Sequence, residues 1–103
     1  MMKIEWTRSA IRDVRALRDY IAFDSAAYAD RFAQKIVEAV ESASAFPLMG
    51  RQMPEAESDA VREILFQKYR IIYRVEPTRI LVLMVIYGGR DLSQITPKPW
   101  ESL

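Results

Sequence analysis

The spacing of apolar residues changes period twice along this chain. MKIEW, residues 2–6, alternates as a short strand does, and Thr7 behind it suits the cap of a helix beginning at Arg8. Ala10, Ile11, Val14, Leu17 and Ile21 then recur at helical spacing, leaving Arg12, Asp13, Arg15 and Asp19 to face water. FDSAA, residues 23–27, interrupts the stripe, and Asp24 or Ser25 can cap a second helix. Its apolar positions are Tyr28, Phe32, Ile36, Ala39 or Val40, and Ala43, up to Phe46; Pro47 ends it. So short a connection makes the two helices an antiparallel hairpin.

Residues 46–60, FPLMGRQMPEAESDA, have no period and are rich in proline, glycine and acids, which predicts a surface connection. Three strands follow: 61–66, 69–75 and 79–87. They are separated by Gln67 and Lys68 and then by residues 76–78, lengths that suit hairpins. In the middle one Tyr69, Ile71, Tyr73 and Val75 share one face, and Arg70, Ile72 and Arg74 the other. The last is apolar on both faces, as an internal strand is. The expected fold is α+β, in the order β-α-α-β-β-β, with the hairpin on one face of a small, mostly antiparallel sheet. The other face carries arginines and is expected to stay partly open. Beyond Asp91, LSQITPKPWESL is either a tail docked by Trp100 or a loose end.

Composition narrows the chemistry. At 103 residues the chain forms one domain. Cysteine and histidine are both absent, which removes disulfides, a thiolate nucleophile, the usual general base at neutral pH and the commonest metal ligand. Any catalysis falls to carboxylates, tyrosine, lysine or arginine. The longest apolar run is residues 80–87, too short to cross a membrane, and MMKIEWT lacks the apolar stretch of a signal peptide, so cytoplasm is the expected location. Net charge is only +1, but residues 62–90 hold six basic side chains against two acidic ones. An anionic or acidic partner is expected there.

Within that segment Arg70, Arg74 and Arg90 are the leading candidates for a functional cluster. Arg70 and Arg74 point the same way, about 13 Å apart on one strand. If Arg90 emerges beside Arg70, the two form a fork-shaped donor site for phosphate or carboxylate. The alternative is a solvated face whose arginines lie over apolar neighbours. Gly88 and Gly89 supply either unusual backbone angles or a plain bend, and Asp91 either holds Arg90 or caps the turn. Tyr69 and Tyr73 belong to the core, as does Trp6; the hydroxyl of Tyr87 is a candidate proton donor. Glu55, Glu57 and Asp59 are read as solvated, with no metal pattern and no cofactor implied. The Phe32, Ile36 and Ala39 stripe serves the sheet or, alternatively, a homodimer.

IEWTRSAIRDVRALRDYIA, FPLMGR, VREILFQKYRIIYRVE and ILVLMVIYGGRD, taken in order, resemble the toxins of the RelE/ParE superfamily of bacterial toxin-antitoxin systems, closer to the ParE plasmid-stabilisation branch. The resemblance covers residues 3–92, which implies a toxin domain over 1–92 and a C-terminal tail over 93–103. It implies the hairpin-on-sheet fold and a cognate antitoxin whose C-terminal segment wraps the toxin, as a heterotetramer in one possible assembly. RelE-type members cleave ribosome-bound messenger RNA, and Arg70 and Arg90 match two of their arginines. The nuclease pattern is otherwise incomplete: there is no histidine, no tyrosine after Arg90, and no pair of close lysines in VREILF. Tyr87 stands where ParE-like members commonly have the histidine of an HGxRD pattern. ParE-type members instead poison DNA gyrase by protein-protein contact. The leading expectation is a gyrase inhibitor that is no enzyme and touches no nucleic acid directly, with a binding surface of Arg62, Arg70, Arg74, Arg90 and Asp91. The alternatives are a ribosome-dependent endoribonuclease using Arg70, Tyr87 and Arg90, which would bind RNA, and a degenerate toxin that only binds antitoxin.

Overall fold

Thr7 and Ser25 decide where the helices begin. Each takes an extended backbone and accepts an N–H three residues on, Thr7 from Ala10 at 3.0 Å and Ser25 from Tyr28 at 3.2 Å. In the computed structural model, which describes residues 1–93, 98, 100 and 101, β1 (Lys3–Trp6) leads into α1 (Arg8–Ala22) and α2 (Ala26–Ala45). Then come β2 (Arg51–Gln52), a single 3-10 turn (Pro54–Ala56), β3 (Val61–Phe66), β4 (Tyr69–Val75) and β5 (Arg79–Tyr87). The expected α+β order is present. The two-residue β2 is the addition: inside the aperiodic connection, Arg51 and Gln52 pair antiparallel with Glu63 and Arg62.

The five strands run β1-β5-β4-β3-β2 in space, antiparallel except for the parallel β1–β5 pair. β5 is internal, which explains why it is apolar on both faces. Its register against β4 slips between Ile72 and Tyr73: Ile72 faces Met84 while Tyr73 faces Val82, so Leu83 is an extra, bulged residue. Leu83 and Met84 consequently join one apolar cluster, whereas Val82 and Val85 join the other.

The helices cover the face bearing Tyr69 and Ile71, where Phe32, Ile36 and Val40 are buried. Phe32 meets Tyr69 edge-on, ring centroids 5.5 Å apart. Tyr73 lies on the same face with its hydroxyl inside the molecule, donating to the Pro47 carbonyl at 2.7 Å and accepting from the Gly50 N–H at 3.0 Å. The second face is not open over its middle. Met53 from the connection, with Leu92 and Trp100 from the tail, covers Ile72, Leu81 and Met84 there. Trp100 is thus docked. The remaining tail residues 94–97, 99, 102 and 103 lie outside the described residues.

Candidate functional site

β1 ends at Trp6 because the chain turns there into α1, and this leaves the last half of β5 without a strand on that side. Side chains take over the exposed edge. The Thr7 N–H donates to the Val82 carbonyl at 3.0 Å, its hydroxyl donates to the Leu83 carbonyl at 3.1 Å, and Asp13 Oδ2 accepts from the Val85 N–H at 3.0 Å. Burial pushes the Asp13 carboxyl up, against the pull of the Val85 N–H and of the Arg12 and Arg90 charges. Beside this edge lies an open groove of about 620 Å³, with Leu81, Leu83, Met84 and Ile86 as its floor and Arg8, Arg79 and Arg90 among its walls.

Arg90 stands at the groove with an exposed side chain that makes no hydrogen bond or ion pair among the described residues. The glycines before it form a plain bend. Neither has positive φ, and the Gly88 N–H simply extends the β4–β5 ladder to the Lys68 carbonyl at 2.8 Å. Asp91 caps the next turn, accepting from the Ser93 N–H at 2.9 Å, and those Ser93 hydrogen bonds hold its carboxyl below the ordinary range. Tyr87 is exposed, with its ring edge-on to Tyr69 and its hydroxyl making no hydrogen bond among the described residues.

Arg70 points elsewhere. It is buried, and four hydrogen bonds hold its guanidinium between two carboxylates. Nε donates to Glu63 Oε2 at 2.6 Å and Nη2 to Glu63 Oε1 at 3.3 Å, while Nη1 and Nη2 reach Glu55 Oε2 and Oε1 at 2.9 and 2.7 Å. The hydrogen bonds it donates to Glu55 raise the Arg70 pKa above its already high ordinary value. Arg70 therefore faces β3 and the 3-10 turn, Arg90 faces α1, and the expected fork between them is not assembled.

The other arginines of the segment are also engaged. Arg74 donates to Glu76 at 2.7 Å and to the Trp100 carbonyl at 2.9 Å, which ties the tail to the sheet. Glu76 also takes Arg79, and Arg79 takes Glu5, which pairs in turn with Lys3 at 3.1 Å. Arg62 bridges the carbonyls of Asp59 at 3.0 Å and Gly50 at 3.0 Å, so it fastens the connection down.

A family model described as the ParE toxin of the type II toxin-antitoxin system parDE matches residues 4–92. The chain belongs to the ParE toxin family. Among solved structures, this ParE-family toxin is similar to a chain of a chromosomal ParDE system from P. aeruginosa, at 28% identity and a TM-score of 0.70, covering 84% of this chain and 96% of that one. A chain of the toxin-antitoxin complex RelBE2 from Mycobacterium tuberculosis, at 23% identity, a TM-score of 0.62 and the same coverage, shares the fold. No curated protein sequence matches it.

Sequence reasoning missed the partners of the toxin's arginines. Glu63 alternates with Val61 and Leu65 on β3, opposite the strand that carries Arg70, and an acid at an otherwise apolar alternation was the available signal. Glu55, read as solvated, had no comparable signal because its connection has no period. Arg12 and Arg15 were passed over as water-facing and Arg8 as a mere helix start, although their spacing of four and three residues puts all three on one side of α1.

Proposed function

We propose that this ParE-family toxin acts by binding a protein target, DNA gyrase, and is held inactive by a cognate antitoxin in the cytoplasm, consistent with a role in plasmid stabilisation. The observation that carries this reading is the state of Arg70. In a nuclease that arginine would have to meet the scissile phosphate, but here its donors are spent on Glu63 and Glu55. Arg90 alone can stabilise charge, yet activating a 2'-hydroxyl also needs a positioned base, and the Tyr87 hydroxyl makes no hydrogen bond among the described residues. What is left exposed is a surface suited to contact: an apolar groove with arginine walls beside a sheet edge. The ParDE neighbour supports an antitoxin partner, and such a partner seated on that surface would both stabilise and mask the toxin.

The deciding experiment is supercoiling of relaxed plasmid by purified gyrase, titrated with toxin freed from its antitoxin and shown to be folded. Loss of supercoiling with accumulation of cleaved DNA is expected. Full gyrase activity, together with cleavage of ribosome-bound messenger RNA that Arg90→Ala abolishes, would replace this reading with the endoribonuclease one. Full activity with no growth arrest on expression would indicate a toxin that only binds antitoxin.

A further inference from the structure

Charge in this molecule is sorted by depth. The strand arginines that dominate the C-terminal sequence are mostly neutralised by carboxylates, and on α1 Arg18 pairs with Asp30 at 2.6 Å, but the other three arginines of α1 stand apart. Arg8, Arg12 and Arg15 are all exposed, and none makes a hydrogen bond or ion pair among the described residues. At 100° per residue they fall within about 60° of one another around the helix, directly opposite the inward positions Ala10, Val14, Leu17 and Ile21. The stripe ends at Asp19, which lies on the same side of α1 and is also exposed.

Two observations extend the stripe to the end of β5. Arg8 and Arg90 line the same groove, and Arg12 and Arg90 both act on the carboxylate of Asp13. Asp13 offsets part of their charge, its Oδ2 accepting from the Val85 N–H, but it forms no ion pair with either guanidinium among the described residues. The result is a ridge of four cations along one edge of a protein whose net charge is only +1.

We infer that this ridge is a binding site for the phosphate backbone of duplex DNA. Arg8 to Arg15 spans seven residues, or about 10 Å of helix. One DNA strand presents a phosphate about every 3.4 Å of rise along the duplex axis and winds as it rises, so a stripe of that length reaches about two or three neighbouring phosphates. The ridge carries no aromatic side chain on which unpaired bases could stack, which disfavours a single strand. It has no run of large apolar residues between the arginines, which disfavours an amphipathic peptide; such a peptide would need the adjoining groove instead. Four arginines give weak, sequence-independent affinity that falls steeply with salt. The contact therefore suits a second anchor, formed while the toxin is held on a DNA-bound protein. This goes beyond the proposed contact with gyrase and does not depend on it, since the free toxin itself should bind DNA.

The test is fluorescence anisotropy of a labelled, mixed-sequence duplex titrated with the full-length toxin over a range of salt. The wild type should bind at low salt, with log K falling by about 0.9 per phosphate contact for each unit of log salt. In R8A/R12A/R15A the slope should flatten by about 0.9 per arginine removed. The paired control R31A/K35A, on the exposed side of α2, should keep the wild-type slope. Alanine preserves helix propensity, and circular dichroism would establish that both variants are folded. Absence of binding at low salt, equal slopes in the two variants, or tighter binding of the matching single strand would each overturn the assignment. So would a triple variant that binds DNA normally but loses an acidic partner protein.

Discussion

Arg70 and Glu63 form an ion pair inside the sheet, Nε to Oε2 at 2.6 Å, with the Glu63 side chain fully buried and that of Arg70 7% exposed. Such a pair contributes little net stability, because desolvation offsets its attraction, but removing one member leaves a charge stranded. Glu63→Ala leaves the buried Arg70 with Glu55 as its remaining partner and should therefore destabilise the toxin by at most about 3–5 kcal/mol, read as a lowered urea midpoint at unchanged slope. The double variant Glu63→Leu with Arg70→Met should recover most of that loss. If it remains as unstable as Glu63→Ala, hydrogen bonding by the pair, rather than the stranded charge, accounts for the effect.

Glu55 completes the same cluster from the surface, and this sets a pH dependence. Its hydrogen bonds to Arg70 hold its carboxyl below the ordinary 4.5, with burial opposing them. A carboxylate lowered in the folded state contributes stability above its unfolded pKa and loses it as pH falls through the folded one. Glu76, lowered by Arg79 and then by Arg74, acts in the same direction. Thermal melts taken from neutral pH downward should thus show the midpoint falling below about pH 4.5, with a shallower fall in Glu55→Gln. A fall just as steep in Glu55→Gln would move the acid lability to Glu76 and its partners.

Periodicity carried the fold well because the helices and strands each bury one continuous stripe, as at Phe32, Ile36 and Val40. It could not carry the site, whose character depends on which charges meet across elements. Arg70 sits at a predicted strand position on the predicted face, yet whether it is a free cation depended on Glu55, fifteen residues away in a segment with no period. FPLMGR was legible as a connection, but the need for Gly50 was not. A Cβ there would lie 2.6 Å from the Tyr73 hydroxyl and 2.8 Å from the Glu63 carbonyl. The bulge at Leu83 was hidden for another reason: in a strand apolar at every position from Ile80 to Ile86, a one-residue slip leaves no trace in the pattern.

Trp100 is 5% exposed and shares a cluster with Met53, Ile72 and Leu81, so this residue of the tail is part of the core. Trp100→Ala should cost about 3–5 kcal/mol if the space stays empty. Indole fluorescence can follow the tail directly, with Trp6→Phe making Trp100 the sole reporter. A blue-shifted emission that moves red only with global unfolding is expected. Red emission in the native protein would mean that the tail is undocked in solution.

Asp13 separates the roles of a charge and of a hydrogen-bond acceptor on one atom. Burial raises its carboxyl above the ordinary 3.8, so the folded state favours the neutral acid. A group shifted in this sense contributes stability below its unfolded pKa and loses it as pH rises through the folded one, which leaves the charged form a cost at neutral pH. Asparagine keeps an acceptor for the Val85 N–H and removes that cost. Asp13→Asn should therefore match or exceed the wild type in thermal midpoint at neutral pH and lose that advantage in acid. Asp13→Ala leaves the Val85 N–H without its acceptor and should fall below both by about 1 kcal/mol. Asparagine no better than alanine would mean that the fold uses the negative charge itself, through Arg12 and Arg90. In that case the carboxylate is a brace for the arginine ridge, and neutralising it would loosen the ridge instead of strengthening its positive field.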